Sequence, residues 1–265
     1  FLATCASAWG MSLEEEVKLG QAEHLKVVKT FGRYPDQNLQ AYINEVGQKV
    51  ASASSRPEVV YRFTILDSDI VNAMALPGGF IYVSRGMLVL MNSEAELAAV
   101  LGHEIAHVTE KHGLRKRSRG KLIKGVNQAL SAAAGGGASI SARTTDLKNW
   151  DVRVSVQESE LGNIYGDLYI KGYSRQFELE ADKVGAQFMA KAGYSPEAML
   201  KTIEMLKASD RIEFSHARQE DRDPLVYHGL QSSHPDNDTR YEQAITESEK
   251  LLRDYDEFIK TDEFL

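Results

Sequence analysis

The sequence predicts an α+β fold, predominantly α, in which a small β-sheet packs beside one helix able to hold a metal ion. Helical periodicity runs through residues 12–54, 93–113 and 175–191, whereas β-rich patterning is concentrated in 59–83. Where the two meet stands Leu101-Gly102-His103-Glu104-Ile105-Ala106-His107, an H-E-x-x-H sequence inside a helical run.

The first helix is expected from Ser12 to Phe31. Ser12 suits its N-cap, Glu14, Glu15 and Glu16 complement its positive end, and Gly32 stops it. Asp36 to about Ser54 follows as a second helix, with Leu39, Ile43, Val46 and Val50 on one side and Arg56-Pro57 as its break. Val59 to Leu66, rich in Val, Tyr, Phe and Ile, reads as a strand. Ile70 to Leu76, the turn Pro77-Gly78-Gly79 and Phe80 to Val83 read as a hairpin-like pair against the start of the metal helix. Ser84 to Asn92 links them as a short helix. An extended substrate can pair with the edge of such a sheet; a sheet that is core wall only is the equal alternative.

Ser93 should cap the metal helix, with Glu96 completing a capping box and Gly113 ending it. Leu97, Val100, Leu101, Ile105 and Val108 form its apolar side. Arg115, Lys116, Arg117, Arg119 and Lys121 then make a basic patch, read as solvated surface; contact with anionic lipid headgroups is the alternative. Residues 113–176 are expected to form a mobile or lid region, with a flexible joint at Gly135-Gly136-Gly137 and strand-like alternation from Trp150 to Val156. The last segment, Arg240 to Leu265, reads as a charged helix with Tyr241, Ile245, Leu252, Tyr255 and Phe258 as a partial apolar stripe.

His103 and His107 lie four residues apart, so on a helix their rings point the same way and can grip one metal ion. Glu104 is poorly placed as a ligand and well placed to meet a water held by that metal, which is zinc-peptidase chemistry. A third ligand is needed, and the helix opening at Arg175 offers three acids. Phe177, Ala181, Val184 and Phe188 form its buried stripe, while Glu180 shares a polar face with Lys183, Gln187 and Lys191 and is expected to point to water. Glu178 and Asp182 lie on the flank that continues through Gly185 and Met189, so they point inward together. A buried carboxylate pair is costly unless a positive charge compensates it, and a metal would. Glu178 can complete a His-His-Glu site with the fourth position left for water, and Asp182 can accept the ring N–H of a ligating histidine, His103 first. His24, His216 and His228 read as surface residues, and His112 as a partner of the metal helix's negative end.

Composition narrows the classes. With 265 residues, 43% hydrophobic and 26% charged, the chain is an ordinary globular one with room for one large domain or two small ones. The division expected is residues 1–11 as a signal-peptide remnant or flexible N-terminus and 12–265 as a single zinc metallopeptidase domain. A net charge of −7 argues against nucleic acid as a partner. No run reaches the roughly 20 apolar residues of a transmembrane segment. A single cysteine, Cys5, leaves neither a disulfide framework nor a cysteine-ligated zinc site. Around it, Phe1 to Ala8 reads as the end of a signal peptide cut after Ala6-Ser7-Ala8, as a lipoprotein box at Leu2-Ala3-Thr4-Cys5, or as a frayed terminus. Export to the bacterial periplasm or cell envelope, soluble or lipid-anchored at a membrane, is the expectation.

The motifs together resemble metallopeptidase family forty-eight, a gluzincin family that includes the prenyl-protein (CAAX) proteases and bacterial envelope quality-control peptidases. Four carry the resemblance, in order: Asn72-Ala73 through Pro77-Gly78-Gly79, His103-Glu104-x-x-His107, Glu178-x-x-x-Asp182, and Ser233-His234-Pro235 with Arg240. The resemblance implies a zincin-like (gluzincin) fold and one Zn2+ per chain, held by His103, His107 and Glu178. It implies Glu104 as general base, Asp182 behind the ligands, Asn72 and Ala73 on the substrate strand, and His234 and Arg240 near the cleft. Lacking the membrane helices of the CAAX branch, the chain is more similar to the soluble periplasmic branch, without its long tetratricopeptide tail. Two jobs are open to His234: steadying the oxyanion, or closing the metal's fourth position at rest. The expected activity is that of a zinc-dependent metalloendopeptidase acting on extended or misfolded envelope polypeptides. The alternatives are a chaperone or assembly factor with latent protease activity, against which the intact Glu104 argues, and a structural zinc module, against which the open fourth position argues.

Overall fold

Short-range signals in the sequence turn into well-defined helix ends. The computed structural model describes residues 11–116, 173–222 and 237–262, with side chains described for 241–253 of the last span. Helix α1, Leu13–Phe31, begins at a reciprocal capping box: Ser12 Oγ accepts the Glu15 N–H, and the Ser12 N–H donates to Glu15 Oε2 at 2.7 Å. Gly32, at φ +73°, ends it. Helix α2, Gln37–Ser52, is capped by Asp36, whose Oδ1 accepts the Leu39 N–H at 2.9 Å, and buries Ile43, Val46 and Val50.

Three strands follow: β1 Arg62–Leu66, β2 Ala73–Leu76 and β3 Phe80–Ser84, in the order β1-β3-β2. The hairpin β2–β3 is antiparallel, from Ala73 opposite Val83 to Leu76 opposite Phe80. Gly78 and Gly79 turn it at φ +76° and +89°; a Cβ on Gly78 would stand 2.6 Å from Val17 Cα, so the turn is pressed against α1. Strand β1 runs parallel to β3, with Arg62 opposite Phe80. It starts three residues later than its β-rich composition suggests, because the ladder begins where the Arg62 N–H donates to Gly79 O at 2.7 Å.

Helix α3, Arg85–Leu90, joins the sheet to α4, Glu94–Thr109, which carries the H-E-x-x-H sequence. Ser93 Oγ accepts the Glu96 N–H at 3.2 Å, but the Glu96 carboxylate takes the Asn92 N–H at 2.9 Å, so the box does not close on Ser93. The helix stops at Thr109, four residues before Gly113. Lys111 takes the left-handed φ of +54°, and helical turns resume over 112–116 with Gly113 inside them. Every residue of α4 from Glu96 to Thr109 is buried, so the expected apolar side is in fact a helix covered all round by α2, the sheet and two later helices.

Those later helices are α5, Arg175–Lys191, and α6, Glu197–Gln219; α7, Asn237–Asp262, packs on both. Helices α4 and α5 touch backbone to backbone. A Cβ on Gly102 would meet Gly185 O at 2.9 Å, and one on Gly185 would meet His103 N at 2.7 Å. Around this contact lies the main core, including Ile43, Val50, Ile65, Ile81, Leu101, Ile105 and Met189. The architecture is mostly helical with a small mixed sheet, as a gluzincin fold requires. Among the described residues no helix is long and apolar enough to cross a membrane. Cys5, the basic residues after Lys116, the glycine triplet, the 150–156 alternation, His228 and His234 lie outside the described residues, as do the side chains of Arg240, Tyr255 and Phe258.

Candidate metal centre

One turn of α4 sets the two imidazoles side by side. His103 and His107 are buried, with Nε2 atoms 3.0 Å apart and ring centroids 4.7 Å apart. The glycine contact lets α5 approach closely enough for Glu178, wholly buried, to reach them. Its Oε2 lies 3.3 Å from His103 Nε2 and 3.9 Å from His107 Nε2. Ligands held about 2.0–2.1 Å from a tetrahedral zinc stand about 3.3 Å from one another. A triangle with edges of 3.0, 3.3 and 3.9 Å therefore matches the zinc donor set, two imidazoles and one carboxylate. Glu178 Oε1 points elsewhere and accepts the Tyr173 N–H at 3.3 Å.

Asp182 lies one turn after Glu178, and its Oδ1 is 2.9 Å from His103 Nδ1. Burial alone would lower the pKa of His103. The Asp182 and Glu178 carboxylates outweigh it and hold the metal-free imidazole well above its ordinary range. A metal takes the place of that proton. Glu104 is wholly buried beside His103.

Several residues sit where sequence reasoning did not put them. His112 is wholly buried and does not cap the helix end: its Nδ1 lies 2.8 Å from His107 Nδ1, and its Nε2 lies 3.1 Å from Glu180 Oε2. Burial pushes its pKa down to about 4. Glu180, expected to point to water, turns back to meet His112 and Arg115, whose Nη1 donates to Oε2 at 3.0 Å. Burial opposes ionisation of Glu180, but these two partners hold its pKa below the usual value. Arg115 is correspondingly no solvated surface charge; it also lies over the Phe177 ring, 4.4 Å from its centroid. The missed signal was the third histidine five residues after His107, with a chain reversal at Lys111 between them. Tyr173, which sequence reasoning also passed over, stacks on His107 at 4.0 Å with the rings 16° from parallel. Farther off, His24 is buried as well. Its Nδ1 lies 2.8 Å from Tyr82 Oη and its Nε2 3.1 Å from Arg33 Nη2, bracing α1 on the sheet.

Asn72 and Ala73 are buried at the start of β2, beside α4. His234 lies outside the described residues, and Arg240 is placed only as part of α7.

A buried His-His-Glu triangle, with its histidines on an H-E-x-x-H helix and its glutamate on the next packed helix, is the site of the gluzincin class of zinc metallopeptidases. The chain belongs to peptidase family M48, whose profile matches residues 37–248. It is 26% identical over 231 residues to the β-barrel assembly-enhancing protease of Escherichia coli (strain K12), covering 84% of this chain and 43% of that protein. It is 27% identical over 206 residues to the mitochondrial metalloendopeptidase OMA1 of Schizosaccharomyces pombe, covering 76% and 54%. The metalloprotease YcaL of Escherichia coli (strain K12) is 30% identical over 140 residues, covering 53% and 48%. The chain thus spans about half the length of each of these relatives.

Proposed function

We propose that this chain is a zinc-dependent metalloendopeptidase, working through residues 12–265 as one peptidase domain with one Zn2+, and that it cleaves extended or misfolded polypeptides in the bacterial envelope. The single observation that carries the activity is the donor triangle of His103, His107 and Glu178 on and beside the helix that bears Glu104. When bound, zinc lowers the pKa of a coordinated water toward about 7 and polarises the scissile carbonyl. Glu104 accepts the attacking water's proton and returns it to the leaving amine. Asp182 keeps the Nδ1 proton of His103 in place, so that Nε2 faces the metal.

Substrate is held against β2. Among the described residues β2 pairs only with β3, so it ends the sheet beside α4. Asn72 directs its backbone to β3: its N–H donates to Ser84 Oγ at 3.0 Å and its C=O accepts the Ser84 N–H at 2.9 Å. Alternation along the strand then turns the N–H and C=O of Ala73 and Ala75 toward the outer edge, where an extended peptide can pair with them. From the resemblance carried by Ser233-His234-Pro235 and Arg240, His234 is given one of two parts, steadying the oxyanion or closing the metal's fourth position at rest, and Arg240 a part in the cleft. Extended or misfolded envelope proteins as substrates are supported by the likeness to a β-barrel assembly-enhancing protease, since membrane β-barrels of bacteria belong to the outer membrane.

The test pairs zinc content with cleavage of unfolded casein for wild type and Glu104→Gln. One zinc in both, with cleavage reduced about 100-fold or more in the variant, is the expected result. Zinc in both with no cleavage by either would favour a chaperone or a latent enzyme, and His234→Ala would then be expected to raise activity. No zinc in wild type would reject the reading.

A further inference from the structure

We infer that His112 and Glu180 are a positioning pair that presents the Nε2 lone pair of His107 to the metal, as Asp182 does for His103; the inference rests on the zinc-site reading above. Proton positions on the two rings decide the matter. A neutral imidazole has one N–H and one lone pair, so a ring that binds metal through Nε2 must carry its proton on Nδ1 and needs an acceptor there. For His103 the acceptor is Asp182 Oδ1 at 2.9 Å. For His107 the atom facing Nδ1, at 2.8 Å, is another imidazole nitrogen, Nδ1 of His112.

Two nitrogens can share only one proton, and the far end of His112 decides which of them has it. His112 Nε2 lies 3.1 Å from Glu180 Oε2. An ionised carboxylate only accepts, so His112 carries its proton on Nε2 and offers a lone pair at Nδ1. His107 Nδ1 must then be the donor, and its Nε2 lone pair is left facing His103 and Glu178. The opposite polarity would place a hydrogen on His107 Nε2 and block the metal.

The surroundings favour this polarity. Arg115 Nη1 reaches the same Glu180 oxygen at 3.0 Å, so the carboxylate is already balanced by a cation and does not require a charged imidazole. Phe177 stacks on His112 with centroids 4.4 Å apart and planes 15° from parallel, which fixes the plane in which Nδ1 and Nε2 point. The left-handed Lys111 folds the chain back so that a residue just beyond α4 lies under that helix's own last turn.

The experiment measures zinc affinity by chelator competition for wild type, His112→Phe, Glu180→Leu and Glu180→Gln, with the melting temperature of each metal-free protein alongside. His112→Phe keeps a ring against Phe177 and removes the acceptor; its zinc affinity should fall about 10–100-fold. The two Glu180 variants both lose the charge facing Arg115, and Glu180 is 34% exposed, so both should fold. Only Gln still accepts from His112, so Glu180→Leu should weaken zinc binding while Glu180→Gln stays within a few-fold of wild type. Wild-type zinc affinity in a folded His112→Phe, or equal affinities in the two Glu180 variants, would overturn the inference and leave the metal site standing. Absence of zinc binding by wild type would overturn both.

Discussion

At the residue scale, His103 and His107 leave the same helix face, yet the groups behind them differ in kind. Asp182 is a buried carboxylate 2.9 Å from His103 Nδ1, without an intervening ring. Removing it should cost more than the loss of one neutral contact, because the ring is then free to take the wrong tautomer. Asp182→Ala is expected to lower zinc affinity about 10–100-fold. An unchanged affinity in chelator competition would remove Asp182 from the site. Glu178 and Asp182 were legible in the sequence because a four-residue spacing and the flank shared with Gly185 and Met189 suffice to turn both inward. Glu180 was not: helical facing places its Cβ on the polar side, but its longer side chain bends back to His112 and Arg115. His112 was hidden for another reason. Its position depends on a left-handed backbone at Lys111, which nothing in a lysine announces.

At the element scale, the approach of α4 and α5 decides whether the triangle can form. The periodicity of both helices was readable, and so was the hairpin at Pro77-Gly78-Gly79. The parallel pairing of β1 with β3 was not, because strand neighbours far apart in sequence leave no local mark. Helix α6 went unread although Met199, Ile203 and Leu206 lie on its buried side. Gly102 and Gly185 gave no warning either, since a glycine inside a helix marks a close contact only once its partner is known. The Gly185→Ala substitution puts a methyl 2.7 Å from His103 N, where backbone must move. A destabilisation of about 1–3 kcal/mol is expected, together with reduced zinc content, since Glu178 rides on the displaced helix. Calorimetry and metal analysis check it; a variant with the wild-type melting temperature and full zinc would mean the helices have slack.

At the scale of the whole molecule, a metal held by His103, His107 and Glu178 would tie α4 to α5, so zinc should count toward folding as well as chemistry. Without it, Glu178 and Asp182 remain as two buried carboxylates around His103. Free zinc at a thousandfold excess over its dissociation constant should stabilise the fold by about 4 kcal/mol, and chelation should remove that gain. A melting temperature independent of zinc across a titration would show that the site is uncoupled from folding. Two of the three donors belong to α4 and the third to α5, so the backbone contact at Gly102 and Gly185 sets their separation directly. Such a site gauges ionic size. Calcium, which takes 6–8 oxygens at about 2.3–2.6 Å, could enter only by prising the helices apart, whereas cobalt, close to zinc in size, could replace it without moving either. Metal selectivity in this protein is therefore written partly in two side chains that are absent.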